Sequence, residues 1–154
     1  MHGINEKLEF KPVRIAVLIV SDTRTLETDT SGATLVQRLE TAGHVLTERK
    51  ILPDDKAAIR AQVSEWIAAP ETDVVITSGG TGLTGRDVTP EAVTPLFDKT
   101  IEGFSVIFHQ VSFQSVGLST LQSRAIAGLA SGTFIFCLPG STGAVKDGWD
   151  KVIS

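Results

Sequence analysis

The run Ser78-Gly79-Gly80-Thr81-Gly82 places three glycines within four positions, and Arg86-Asp87-Val88-Thr89-Pro90-Glu91 follows closely. Glycine lacks the Cβ that would hold a ligand away from the backbone, and it tolerates positive φ. Successive N–H groups exposed in such a turn form a nest for an anion. Two aspartates have the right type and position to work with it: Asp87, just after the turn, and Asp54, in Leu52-Pro53-Asp54-Asp55. Taken singly, each could simply cap the helix that follows it. Together they can seat Mg²⁺, which keeps several waters and needs few protein ligands when phosphates supply the rest. Arg86 suits a phosphate, and equally a solvated surface.

Competing chemistry is weaker. Gly80-x-Gly82-x-x-Gly85 matches a dinucleotide fingerprint in letters, but that motif needs a helix to open inside the glycine run. Here the helix signal waits until Thr89-Pro90, and no strand ends in an acid about twenty positions later. A P-loop needs Gly-Lys-Ser/Thr where this chain has Gly85-Arg86-Asp87. Glycines serving a tight turn and nothing else remain the bland alternative. His44 and His109 have no metal-ligand partner at useful spacing, and Ser141 has no evident base. Cys137, the only cysteine, lies in the apolar run Phe134 to Leu138 and reads as a small buried hydrophobe.

The elements that must position these residues are legible in outline. Val13 to Val20 is continuously apolar apart from Arg14, as expected of a strand buried on both faces. Asp29, Thr30 and Ser31 offer N-caps for a helix through Leu35, Val36 and Leu39 that ends at Gly43. His44 to Leu52 predicts a second strand, and Pro53-Asp54-Asp55 opens a helix through Ile59, Val63, Trp66 and Ile67. Asp73 to Thr77 is the third strand. Such alternation implies βαβ units and a largely parallel sheet. Ligands then bind beyond the carboxyl ends of the strands. The loops there are Ser21 to Thr30, Pro53 to Asp55 and Ser78 to Thr89, and their polar composition points to one shared site that includes Ser21 and Asp22.

Past the glycine turn, Thr89 as N-cap, Pro90 at N1 and Glu91 in the first turn open a helix that Pro95 limits. Phe104 to Phe113 predicts a very apolar helix lying partly in a subunit interface. Ala130-Ser131-Gly132 reads as a hairpin turn between Ala125–Leu129 and Thr133–Leu138, giving one antiparallel strand. Pro139-Gly140-Ser141 then joins the shared site if the last strand runs parallel. A short helix through Val145, Trp149 and Val152 closes the chain.

At 154 residues and 42% apolar content the chain fits one domain with a real core. Net charge is −4 with Lys and Arg scattered, which argues against nucleic acid. No apolar run spans a bilayer, and Met1 to Lys11 lacks the apolar core of a leader, so the cytoplasm is the expected compartment.

Together, Thr77-Ser78-Gly79-Gly80-Thr81-Gly82, Arg86-Asp87-Val88-Thr89-Pro90-Glu91, Glu102-Gly103-Phe104, Ser123-Arg124 and Leu138-Pro139-Gly140-Ser141 resemble the MogA/MoaB family of molybdenum cofactor biosynthesis proteins. The resemblance runs from Val20-Ser21-Asp22 to the last helix. Gly103-Phe104 and Ser119-Thr120-Leu121-Gln122-Ser123-Arg124 look closer to its MoaB branch. It implies a three-layer α/β/α domain over residues 1–154, with a mostly parallel sheet containing one antiparallel strand, assembled as homotrimers or homohexamers. It implies molybdopterin as ligand and Mg-ATP as co-substrate, the terminal phosphate being adenylylated with release of pyrophosphate. A non-catalytic molybdopterin-binding or delivery protein, working with other proteins of that pathway, is the alternative. By position, Asp54 and Asp87 match the family's functional, metal-seating aspartates. Ser78 to Gly82 match its ligand loop, and Pro139-Gly140-Ser141 match a second loop lining the pocket.

Overall fold

Arg14–Val20 (β1) buries six of its seven residues, as its unbroken apolar run requires of a strand in the middle of a sheet. In the computed structural model, which describes residues 9–154, β1 pairs in parallel with Val45–Leu52 (β2) on one side and Val74–Ser78 (β3) on the other. Met1 to Leu8, most of the stretch read above as lacking a leader's core, lie outside the described residues. The sheet continues through Thr133–Leu138 (β6), parallel to β3, then Ile126–Ala130 (β5) and Lys99–Thr100 (β4), in the order β2-β1-β3-β6-β5-β4. β5 alone runs antiparallel to the rest. The two-residue edge strand β4 is too short and polar to announce itself in the sequence.

A strand apolar on both faces needs a helical layer on each. Ile15, Val17 and Ile19 face Leu35 and Leu39 of α1 (Thr30–Thr41), Phe104 and Phe108 of α4 (Glu102–Val116), and Val145 of α5 (Thr142–Gly148). Ala16, Leu18 and Val20 face Ile59, Val63 and Trp66 of α2 (Lys56–Ala68) and Ala92 and Val93 of α3 (Thr89–Val93). The period of two along β1 thus divides the core into the two halves of a three-layer sandwich.

Local signals explain most boundaries. Asp29 caps α1 by accepting from Gly32 N at 2.8 Å, and Gly43 leaves the helix at φ +92°. Asp55, not Asp54, caps α2 through Ala58 N. Ser131 and Gly132 both take positive φ in the two-residue hairpin, the backbone of a type I′ turn. Thr89 departs from expectation: it lies inside α3, Val88 holds the cap position, and the Thr89 hydroxyl donates to Gly79 O at 2.9 Å. The side chain that would have capped the helix ties it to the glycine turn instead. After Gly148 the chain closes in a wider π-type turn, Trp149–Ile153.

No helix among the described residues is long and apolar enough to cross a membrane. On α4, Phe104 and Phe108 are buried, but Val106 is 65% and Phe113 53% exposed. The 3-10 segment that follows, Gly117–Gln122, adds Leu118 and Leu121, each more than 70% exposed.

Candidate functional site

Because β1, β2, β3 and β6 are parallel, their carboxyl ends share one edge, with Val20 level with Leu52, Ile19 with Ser78, and Ser78 with Leu138. The chain passes from β1 to β2 on one side and returns to β3 on the other, so strand order reverses at β1/β3. A crevice opens at such a reversal. There the structure has an open pocket of about 670 Å³.

The glycine turn forms its floor. Gly79 and Gly80 have φ of +106° and +72°, in the left-handed region that favours glycine. A Cβ on Gly79 would stand 2.2 Å from Val20 O, and one on Gly80 2.2 Å from the Thr89 hydroxyl. The turn's carbonyls are held from behind: Gly79 O and Gly80 O accept from Thr89, Thr81 O from Arg124 N, and Gly82 O from Arg124 Nε. No hydrogen bond from Gly80 N or Thr81 N is formed among the described residues. That leaves amides for an anion. Arg124 also donates from Nη2 to Asp87 O at 2.9 Å and pairs with Glu91, so one side chain clamps both limbs of the loop. Its importance was visible in sequence only as part of the family motif.

Three carboxylates line the pocket in different electrical states. Asp22 accepts two bonds from Arg86, Nη2 at 2.6 Å and Nε at 3.1 Å, and one from Asp54 N at 3.0 Å. The Arg86 guanidinium, helped by the Asp54 amide, holds its carboxyl below the usual range. Asp87 Oδ2 accepts from Thr84 Oγ1 at 2.7 Å and Thr84 N at 3.0 Å, and those bonds lower it as well. Asp54 accepts no hydrogen bond from any described residue. Burial, then the negative charges of Asp22 and Asp87, push its carboxyl upward. It lies beside the turn: a Cβ on Gly80 would be 3.3 Å from Asp54 Oδ1, and one on Gly82 2.7 Å from Asp87 Oδ2. Neither aspartate caps its helix.

Ser21, Asp22, Asp54, Ser78, Gly79, Gly80, Thr81, Gly82, Asp87, Pro139, Gly140 and Ser141 all line this pocket. The last loop arrives because β6 is parallel. Ser78 Oγ donates to Pro139 O at 3.1 Å, and a Cβ on Gly140 would sit 3.3 Å from Gly79 Cα. Arg86 does not line it. Engaged by Asp22 and 67% exposed, it clasps two loops on the outside. The structure adds lining residues that the sequence marked only as members of a loop or motif: Thr23 and Arg24 from the first loop, and Ser119, Gln122 and Ser123 from the segment before β5. Ser123 Oγ is buried without a partner.

A glycine cradle and three carboxylates around a crevice at the switch point of a mostly parallel sheet define an α/β protein of the three-layer class. Residues 16–154 match a family model described as "Probable molybdopterin binding domain". The chain belongs to this family of molybdenum cofactor biosynthesis proteins, on its MoaB side. It is 50% identical over 146 residues to molybdenum cofactor biosynthesis protein B of Escherichia coli K12, covering 95% of this chain and 86% of the relative. A crystal structure of a molybdenum cofactor biosynthesis protein B superposes with TM-score 0.90 at 45% identity, covering 93% of this chain and 89% of the other. The tungsten cofactor synthesizing protein MoaB of Pyrococcus furiosus follows at TM-score 0.83 and 36% identity, covering 94% and 92%.

Proposed function

We propose that this pocket binds molybdopterin and ATP and transfers the adenylyl group to the pterin's terminal phosphate. An oxygen of that phosphate forms a bond to the α-phosphorus of ATP. The bond from that phosphorus to the α–β bridging oxygen breaks, and pyrophosphate leaves with the electron pair. Such transfers rest on positioning and charge neutralisation more than on covalent chemistry by the protein. The site has that character: donor amides, paired loops and carboxylates, with no nucleophile set beside a base.

The observation that carries the reading is Asp54. Its carboxyl accepts no hydrogen bond among the described residues and is pushed upward by burial and by Asp22 and Asp87, which the nearby Arg86 charge only partly offsets, so a cation bound there would be favoured. Asp87 directs Oδ2 at Thr84 and is also held by the Gly82 amide, so it would offer a positioned carboxylate beside the unengaged one of Asp54. The pair fits Mg²⁺, which takes one or two carboxylates with water and substrate phosphate. A bound Mg²⁺ would neutralise phosphate oxygens as charge builds on the leaving pyrophosphate. The chain's own residues do the rest. Gly80 and Thr81 amides receive a phosphate, Thr89 and Arg124 keep the turn rigid, and Asp22 with Arg86 fixes the backbone under Asp54.

The exposed Val106, Phe113, Leu118 and Leu121 support assembly into homotrimers or homohexamers. The test of function is pyrophosphate release from ATP. Release that requires both Mg²⁺ and molybdopterin, and that is lost in Asp87→Ala, is the expected result. Tight pterin binding with no release would instead mark a binding or delivery protein of the pathway.

A further inference from the structure

The two ends of the pocket differ electrically. Asp54 and Asp87 stand at the Gly80–Gly82 end. Arg24 is the only cationic side chain among the described residues that line the pocket, and Ser31 links it to Gly140. Its Nη1 donates to Ser31 Oγ at 3.0 Å, and Ser31 Oγ donates onward to Gly140 O at 2.7 Å. Gly140 in turn packs on Gly79, the first glycine of the turn. The guanidinium is therefore steadied next to the cradle rather than left in solvent.

Its charge is paired with the buried Asp29, but most of its hydrogen-bond donors are free among the described residues. A guanidinium carries five N–H donors in a planar fork, and the Ser31 bond is the one that Arg24 side-chain donors make among the described residues. Asp29 Oδ1 lies 3.7 Å away, beyond hydrogen-bonding distance, and Asp29 is already engaged by Gly32 N and by Arg49 at 2.9 Å. Arg86 is the opposite case, with two donors spent on Asp22 and its side chain outside the pocket.

We infer that Arg24 binds a phosphate group of the pocket's ligand, a phosphate monoester or a pyrophosphate, at the Gly140 end, and that Arg24 rather than Arg86 selects for anions here. This rests on the reading of the pocket as a seat for phosphate-bearing substrates. A planar fork matches phosphate oxygens two at a time. The carboxylate next to the fork is Asp29, which is shared with Arg49 and does not line the pocket, so hydrogen-bonding capacity of the guanidinium remains for an anion in a pocket lined by three acids.

The test uses inorganic pyrophosphate as probe, titrated calorimetrically into the full chain at two salt concentrations. Arg24→Gln is expected to weaken binding by about tenfold or more and to flatten its salt dependence, while Arg24→Lys retains an intermediate affinity. Arg38→Gln removes the same charge from the α1 surface pair with Asp150 and is expected to stay within about twofold of the parent. If Arg24→Gln lowers the melting temperature, Arg24→Met keeps the apolar stem and carries the same expectation. Parent-like affinity in the folded Arg24 variants, an equal loss in Arg38→Gln, or no pyrophosphate binding by the parent would each overturn the inference. Pyrophosphate binding through Arg24 without pyrophosphate release from ATP would overturn the transfer reading and leave Arg24 in place. Turnover with an unchanged KM in Arg24→Gln would do the reverse.

Discussion

Arg124 reaches back 37 positions to donate from Nη2 to the main-chain oxygen of Asp87 at 2.9 Å. The same guanidinium holds Gly82 O and Glu91, so the aspartate and the glycine turn are presented by a side chain that does not itself line the pocket. Arg124→Lys keeps the charge but cannot serve two carbonyls and a carboxylate at once. We expect pyrophosphate release to fall by about tenfold or more, and melting to drop by a few degrees for about 1–2 kcal/mol of lost hydrogen bonding. Steady-state kinetics and thermal melts on one preparation check both.

Gly80→Ala should be more damaging than its size suggests. The residue sits at φ +72°, and the added methyl would meet the Thr89 hydroxyl at 2.2 Å. Either the turn shifts or the Thr89–Gly79 bond breaks. A cost of about 1–3 kcal/mol is expected, with ligand affinity lost before the fold. Gly85→Ala, where a Cβ would meet nothing within 4 Å, is the matched control and should melt with the parent.

Asp54→Asn should stabilise the protein while abolishing transfer. A carboxyl raised in the folded state binds its proton more tightly folded than unfolded. Its contribution is therefore present at low pH and declines as pH climbs past the ordinary carboxylate value. Replacing it removes that decline, so the variant's melting advantage should be absent near pH 3 and open above about pH 4. Mg²⁺ should raise the parent's melting temperature more than the variant's. A melt series across pH, with and without Mg²⁺, reads both effects.

Asp29→Ala tests the support beneath the first loop. Its carboxylate is fully buried, caps α1 through Gly32 N and pairs with Arg49 at 2.9 Å. Removing it strands a partly buried guanidinium and a helix end together, at about 3–5 kcal/mol. Asp150→Ala, which breaks the half-exposed Arg38 pair, should cost under about 1 kcal/mol. Urea unfolding of the two variants separates the cases.

The chain itself determined its layers and its loops. An unbroken apolar run is compatible only with a central strand covered on both faces, and Gly43, Ser131-Gly132 and Gly79-Gly80 mark turns because local φ preferences do not depend on the rest of the molecule. Tertiary structure decided which side chains meet. Asp22 lies under Asp54, 32 positions away, and Arg86 turns to Asp22, 64 positions away, so it leaves the pocket to Arg24. Thr89, suited to cap a helix, bonds the glycine turn because packing brings that carbonyl closer. The short β4 exists only because β5 offers it an edge. Such choices follow from strand order and the distances it sets, which no local pattern of residues encodes.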